Sequence, residues 1–317
     1  TETDTLLPGA SFSHIGSSLF GLSMLSAGGQ LIVPSGSDGP HILPLLKQYR
    51  PTVMFMLPSA LLALVRDHDA TPEVFSSVRM CFSGGDKVSL ELELEFTDIA
   101  GFPVDESYGM TETGCVAVNP PSGENRIGSL GTVCPGCEIA LRDDAGHEVP
   151  TGTPGQLWVR APGNTIGYWD NAEATAATII DGWLDTGDVM RIDEDGYLWF
   201  CGRKKQIIIH DGSNICPQEV EEAIGEHPAI REAGVIGIHD LVHGENVRAY
   251  VTLRDDAPRP SSAEIIHFAR DHVGYKAPEE IVFLDDMPLN ATGKVDRVTL
   301  KKLAETQFSV SSHDAPQ

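Results

Sequence analysis

Residues 53–82 read VMFMLPSALLALVRDHDATPEVFSSVRMCF. Two short apolar runs, Val53-Met54-Phe55-Met56 and Val78-Arg79-Met80-Cys81-Phe82, bracket a segment in which Ser59 to Asp67 has the amphipathic spacing of a helix. Strand, helix, strand at this spacing reads as a βαβ unit, in which the crossover carries the chain back so that the strands lie parallel. Outward from it, Leu31-Ile32-Val33 supplies a further buried strand and Ile42 to Tyr49 a further helix. Phe102-Pro103-Val104 reads as another short strand, with the polar run from Glu106 to Thr113 as the loop after it. The first two hundred residues therefore predict an α/β fold with a parallel sheet.

From about Ile127 the texture changes. Gly and Pro punctuate short strands at Glu138 to Arg142 and Gln156 to Arg160, and Asp188 to Phe200 reads as a β-hairpin turning at Asp195-Gly196. Asp193-Glu194-Asp195-Gly196 superficially suggests a calcium loop, but the spacing and the distal Glu of that motif are missing. After Gly202 a small α+β unit is expected. Its strands are Gln206 to Ile209, Val235 to Ile238, Arg248 to Leu253 and Ile281 to Leu284. One helix opens at Pro217 and runs through Glu226, and a second follows the capping pair Ser261 and Glu264. A third, capped by Asp296, ends near Glu305, and Thr306 to Gln317 reads as a loose tail.

The 317 residues carry 46 acidic against 22 basic side chains, a formal charge of −24, with 41% hydrophobic residues for packed cores. That charge repels a phosphate backbone or an anionic bilayer, which disfavours nucleic-acid and membrane-surface partners. No run approaches the roughly 18 apolar residues of a spanning helix, and none resembles a secretory leader. Six cysteines are too few for a disulfide scaffold, so a reducing cytoplasm is the expected compartment. Cys134-Pro135-Gly136-Cys137 could be a redox pair or half a zinc site. The Pro-Gly centre and the lack of a second pair favour a simple turn.

Four stretches hold polar residues that packing does not require. Glu106-Ser107-Tyr108-Gly109-Met110-Thr111-Glu112-Thr113 lies where a parallel sheet binds ligands, beyond a strand's carboxyl end. There a ring can stack on a base, a hydroxyl can bond phosphate and a carboxylate can hold Mg²⁺. The others are Gly182 to Asp188, Gly202-Arg203-Lys204-Lys205-Gln206, and Asn290 to Asp296, where Gly293 leaves Lys294 a flexible cation on a tight turn. Singly, each reads as well as a turn, a solvated basic patch or a helix cap.

Order and spacing decide between those readings. The chain carries SFSHIGS at 11–17, SGGDKV at 83–88, YGMTET at 108–113, GQLWVRAPGNTIGYW at 155–169, GWLDTGDV at 182–189, GRKKQIIIHDGSNICPQEVE at 202–221 and NATGKVDR at 290–297. Together these resemble the adenylate-forming superfamily, and most closely its AMP-forming acyl-CoA synthetases of the fatty-acid type. The resemblance implies an N-terminal domain of βαβ sheet layers plus a small distorted β-barrel, followed by a small mobile α+β domain. Their expected bounds are 1–203 and 204–305, with 306–317 a disordered tail.

The activity implied is formation of acyl-AMP and pyrophosphate from a carboxylic acid and ATP with Mg²⁺, then displacement of AMP by coenzyme A. By motif, Lys294 would contact the α-phosphate and the acyl carboxylate, Glu112 would ligate Mg²⁺, and Thr111 would bond phosphate. Tyr108, followed by Gly109 and Met110, would lie against the adenine, with Gly84-Gly85-Asp86 on its other face. Asp188 would take both ribose hydroxyls and Arg203 would approach the same sugar. His14 would gate the acyl group, Lys205 would be the hinge between half-reactions, and the loop at Gly212 would line the pantetheine channel. Asp211 departs from the glycine usual at its position, which leaves a carrier-protein phosphopantetheine as an alternative thiol.

The family's phosphate loop, a Ser/Thr/Gly-rich run ending in Pro-Lys, does not occur in these residues. With roughly ten residues ahead of SFSHIGS, the resemblance covers about the C-terminal three-fifths of a family member. A fragment is therefore expected, weakly active alone or complementing a separate N-terminal half. The acid's identity and homo-oligomer formation stay open.

Overall fold

The computed structural model describes the chain except residues 37–38, 67–69, 120–123, 212, 241, 255–256, 290–294 and 312–317. It divides into two compact units, Thr1–Phe200 and Cys201–Gln317.

In the first unit, β1 (Thr5–Gly9), β2 (Gln30–Leu31), β3 (Val53–Met56), β4 (Met80–Ser83) and β5 (Asp105–Met110) lie parallel in the order β2-β1-β3-β4-β5. Antiparallel β6 (Gly114–Val118) and β7 (Thr132–Val133) extend the sheet. Alternation along β1 and β3 builds two cores. Leu7, Met54 and Met56 face one way, among residues from α2 (Gly39–Tyr49), α3 (Pro58–Val65), α4 (Pro72–Phe75) and α5 (Leu90–Ala100). Leu6, Val53 and Phe55 face the other, with Phe82 and with Phe20 and Met24 of α1 (Ile15–Ser26). Gly101, in the left-handed region at φ 81°, ends α5 as a C-terminal glycine should.

Two expectations fail here. The run Leu31–Val33 pairs only at Gln30–Leu31, and Val33 is exposed. The strand expected at Phe102–Val104 begins instead at Asp105, so the polar stretch Glu106–Met110 is itself β5 and not a loop. The cause is burial on both sides. β5 sits between β4 and β6, and its carboxylate and hydroxyls are bonded in place where apolar side chains would otherwise pack.

A second sheet holds β8 (Glu138–Arg142), β9 (Gly155–Arg160), β10 (Ile179–Ile180), β11 (Trp183–Ile192) and β12 (Leu198–Arg203), with α6 (Ala172–Thr178) beside it. Its order is β10-β11-β9-β8, with β12 also on β11, so the expected small barrel is an open sheet among the described residues. The hairpin around Gly196 forms as the spacing predicts, closed by the Asp193 side chain accepting from the Asp195 and Tyr197 N–H groups. Cys137 N–H donates to Cys134 C=O at 3.1 Å, with Gly136 at φ 85°, so that motif is a Pro-Gly turn.

The second unit contains β13 (Ile208–His210), β14 (Ser213–Ile215), β15 (Ile230–Asp240), β16 (Gly244–Leu253) and β17 (Glu280–Phe283) in one sheet. Gln206, expected to open the first of these strands, closes a 3₁₀ turn over Lys204–Gln206. Against the sheet pack α7 (Pro217–Gly225) and α8 (Ser262–Val273), whose Val220, Ile224, Ile265 and Ala269 share a core with Val235, Val247 and Val251. Ser261 Oγ accepts from Glu264 N–H as the capping pair requires. Asp296 likewise accepts from Val298 and Thr299 N–H, and α9 (Arg297–Ser311) runs on into the stretch expected to be loose.

Candidate active site

Parallel strands deliver their following loops to one edge, and in the first unit three quoted signatures arrive there together. The segment after β1 carries His14, the N-cap of α1, whose Nδ1 accepts from Gly16 N–H at 3.1 Å. In the neutral ring the proton is therefore on Nε2. After β4 come Gly84 and Gly85. A Cβ on Gly84 would strike Ser107 Oγ at 2.6 Å and Ser107 C=O at 2.8 Å, so only glycine lets that loop cross β5. Gly85 has φ 85°, and a Cβ there would sit 3.1 Å from Leu57 and 3.4 Å from His14 Nε2. The structure thus brings His14 beside the glycine loop. Asp86 turns locally, accepting from Lys87 N–H.

The bond that organises the site spans 80 residues. Tyr108 Oη on β5 donates to Asp188 Oδ2 on β11 at 2.7 Å, with both side chains buried. Asp188 reaches it because β11 slips register against β9 between Asp185 and Val189. Gly187, at φ 69°, makes that bulge; Asp185 Oδ1 accepts from Gly187 N–H, and Thr186 Oγ1 accepts from Asp188 N–H. Ser107 Oγ donates to Ser83 C=O and Glu106 Oε2 accepts from Val88 N–H, which holds β5 against β4.

Beyond Tyr108 the chain turns tightly. A Cβ on Gly109 would lie 2.3 Å from Gly114 C=O, so this close pairing of β5 with β6 also demands glycine. Met110 ends β5, Thr111 is exposed and Glu112 is half-buried at the turn. Tyr168 Oη donates to Glu112 Oε1 at 3.0 Å, and Thr165 N–H donates to Glu112 C=O at 2.6 Å. Burial, then the Glu112 bond, raises the Tyr168 phenol, which keeps it a donor. Glu112 is thus a positioned carboxylate able to offer one oxygen to a hard cation such as Mg²⁺.

Three acids here escaped the sequence reading in part or whole. Glu93, fully buried on α5, is pushed up to about 7 by burial, against the pull of Gly128 N–H on its Oε2. Burial pushes Asp105 up to about 6, opposed by a hydrogen bond from Asn125. Glu106 belongs to the polar stretch Glu106–Thr113, but the motifs give it no role. The available signal was positional: Glu93 falls on the helix face of Leu92 and Phe96, where an apolar residue is the norm.

Arg203 and Lys205 belong to the second unit and are exposed; Arg203 is the N-cap of the 3₁₀ helix Lys204–Gln206 and Lys205 is its middle residue. Gly212 and Lys294 lie outside the described residues. Flanking the latter, Leu289 and Val295 bridge, and Asp296 N–H donates to Pro288 C=O at 2.8 Å. Nearby, two signatures meet structurally: Arg297 Nη2 donates to both oxygens of Glu221, which also accepts from Val235 N–H.

Residues 1–169 match the family described as AMP-binding enzyme, and residues 219–294 match the AMP-binding enzyme C-terminal domain. The chain belongs to the AMP-binding enzyme family. It is 34% identical to a long-chain-fatty-acid–CoA ligase of Yersinia pestis, over 93% of this chain and 52% of that protein. It is also 34% identical to an indoleacetate–CoA ligase of Aromatoleum aromaticum, over 88% of this chain and 55% of that one. Among solved structures, ATP-bound MatB from Rhodopseudomonas palustris superposes with a TM-score of 0.88 at 31% identity, covering 96% of this chain and 60% of that one. The chain spans about half the length of the curated relatives it matches. Both of these curated relatives are named acid–CoA ligases, for acids as unlike as a fatty acid and an indole acetate. Among the described residues no helix is long and apolar enough to cross a membrane.

Proposed function

We propose that this chain carries the nucleoside-binding and thioester-forming part of an AMP-forming acid–thiol ligase. In the complete reaction a carboxylate oxygen attacks the α-phosphorus of ATP, releasing pyrophosphate and leaving acyl-AMP. The thiol of coenzyme A then attacks the acyl carbon, AMP leaves, and the thiol proton goes to solvent. The observation that carries the proposal is the buried Tyr108–Asp188 pair at the edge where the glycine loop and His14 also arrive. A buried carboxylate that accepts from a neutral hydroxyl is a suitable acceptor for a diol such as ribose, because a ligand hydroxyl can take the place of the tyrosine hydroxyl at little cost.

In this reading Tyr108, Gly109 and Met110 form the adenine wall opposite Gly84, Gly85 and Asp86. Asp188, with Arg203, holds the ribose, while Thr111 and Glu112 serve the phosphate and its Mg²⁺. Lys294 supplies the positive charge that offsets the meeting of two anions in the first step. The second unit turns about Lys205 between steps, and the Gly212 loop guides the pantetheine arm. An apolar acid of the fatty type is the substrate favoured by the first relative's name.

A second reading, that these 317 residues act only with a further segment, draws support from the coverage of about half of each relative and from the missing Ser/Thr/Gly-Pro-Lys loop. Calorimetry with AMP and with a stable acyl-AMP analogue tests the proposal. Binding of both, weakened at least tenfold in Asp188→Ala, is expected, and no measurable binding of either overturns it. In a chain able to complete both steps, Lys294→Ala should lose pyrophosphate release yet still convert supplied acyl-AMP with coenzyme A.

A further inference from the structure

In the second unit, three segments converge on a cluster that the nucleotide chemistry does not use. β13 ends at His210, Asp211 follows it in the left-handed region at φ 48°, His243 sits in the turn between β15 and β16, and Glu279 precedes β17. The backbone fixes their places. Asp211 N–H donates to His243 C=O at 2.9 Å, and Asp240 Oδ1 caps the turn by accepting from Val242 and His243 N–H.

The ring states follow from what each nitrogen touches. His210 Nδ1 lies 2.7 Å from Glu245 C=O, and a carbonyl can only accept, so Nδ1 carries the proton. In the neutral ring Nε2 then presents a lone pair, and what it faces is negative. Glu279 Oε1 lies 3.5 Å away and Asp211 Oδ2 3.8 Å away. Glu279 is held at this angle because its other oxygen accepts from Val247 N–H. On the far side, His243 Nδ1 lies 2.9 Å from Asp211 Oδ1, and the two imidazoles stack at 5.1 Å between centroids. One ligand atom each from His210, Asp211 and His243 fits within a 4.8 Å span.

A lone pair aimed at two carboxylates is repulsive unless a proton or a metal cation lies between them. Tetrahedral bonds of about 2.0–2.1 Å put neighbouring ligand atoms about 3.4 Å apart, close to the spacings around His210 Nε2. Two imidazole nitrogens select a borderline transition cation over Mg²⁺ or Ca²⁺, and two carboxylates balance a charge of +2. The Nδ1–H of His210 on a carbonyl is the outer contact that metal-ligating histidines habitually make. We propose that His210, His243 and Asp211, with the Glu279 carboxylate alongside His210, form a binding site for a divalent cation of the zinc type, which clips the end of β13 to the turn ahead of β16. Asp211 and His243 are solvent-exposed enough for the ion to enter and leave, and entry releases the proton that His243 shares with Asp211. Asp211 adjoins the loop given to the pantetheine arm, but none of the side chains assigned to acid activation is used and zinc binding is read directly, so the site stands or falls apart from that reading.

Titration calorimetry of the tag-free full chain with ZnCl₂ at neutral pH tests it. One zinc per chain is expected, with affinity at least tenfold weaker in His243→Ala and in Asp211→Asn, both at exposed positions that spare the fold. His267→Ala, an exposed histidine beside Asp271, should leave the affinity unchanged. Zinc should also raise the Tm of the wild-type chain and not that of His243→Ala. X-ray absorption of the zinc-loaded chain should show a nitrogen and oxygen shell with imidazole scattering. Absence of saturable binding, unchanged affinity in His243→Ala, or sulfur in the shell, pointing to Cys115, Cys134 and Cys137, would each overturn the assignment.

Discussion

Two carboxylates with little access to solvent, one in each unit, come from the sequence signatures, and their partners differ in kind. Glu221 of α7 is gripped by Arg297 Nη2 through both oxygens, at 2.7 and 2.6 Å, and by Val235 N–H. Asp188 of β11 meets the phenol of Tyr108 at 2.7 Å. An ion pair inside a protein is costly to break, because removing one charge strands the other away from water. A neutral hydroxyl can be exchanged for another hydroxyl with little net change. The first pair is therefore a structural tie joining α7, β15 and the start of α9, and the second suits the ribose-binding role proposed for Asp188. A signature residue need not touch substrate, and the chemistry of its partner tells which kind it is.

The sharpest way to break that contrast is Arg297→Ala. Leaving the largely buried Glu221 carboxylate without its guanidinium should cost about 2 kcal/mol of second-unit stability. All four tryptophans lie in the first unit, so hydrogen exchange of α7 and β15 is the measurement to use. Unchanged protection there would remove the structural half of the comparison. Next in size, Asp188→Ala should weaken AMP binding by about 2 kcal/mol, roughly thirtyfold, while leaving hydrogen exchange of α7 and β15 unchanged. A variant that unfolds but binds normally once stabilised would reverse the roles.

Acidity gives a smaller effect with a definite sign. Glu93, raised from 4.5 to about 7 by burial, binds its proton more tightly folded than unfolded. Its contribution is fully present below about pH 4.5 and is lost as pH rises through about 7, and Asp105, raised to about 6, acts in the same direction. Tryptophan-monitored urea unfolding of the first unit should therefore show stability falling from pH 5 to 7.5, by on the order of 1 kcal/mol. Glu93→Gln should flatten that slope, and an unchanged slope would sink the assignment. Smallest of all, Tyr108→Phe removes only the hydroxyl, for a loss of about 1 kcal/mol in stability. AMP affinity should change by less than about threefold, since the ribose itself can occupy the carboxylate.

Legibility followed chemistry along the chain. β3 and β4 are apolar runs between helix patterns, so their place in a parallel sheet could be read directly. β5 could not, because Asp105-Glu106-Ser107-Tyr108 reads as a polar loop. Only neighbours on both sides, with Ser83 C=O and Val88 N–H as partners, make it a buried strand. Gly84, Gly85 and Tyr108 were recognisable from their motifs. The Tyr108–Asp188 and Glu112–Tyr168 pairs join residues 80 and 56 positions apart, and no local pattern encodes a contact across that distance.

Order and type of residue alone were enough for the family, the alternation of strands and helices, the glycine turns and the helix caps, since each rests on interactions within a few neighbours. Which polar groups are buried, and whether a carboxylate faces an arginine, a phenol or a histidine lone pair, emerged only once distant strands had packed. Burial and register are properties of the assembled chain, and these set the charge state and the availability of each of these acids.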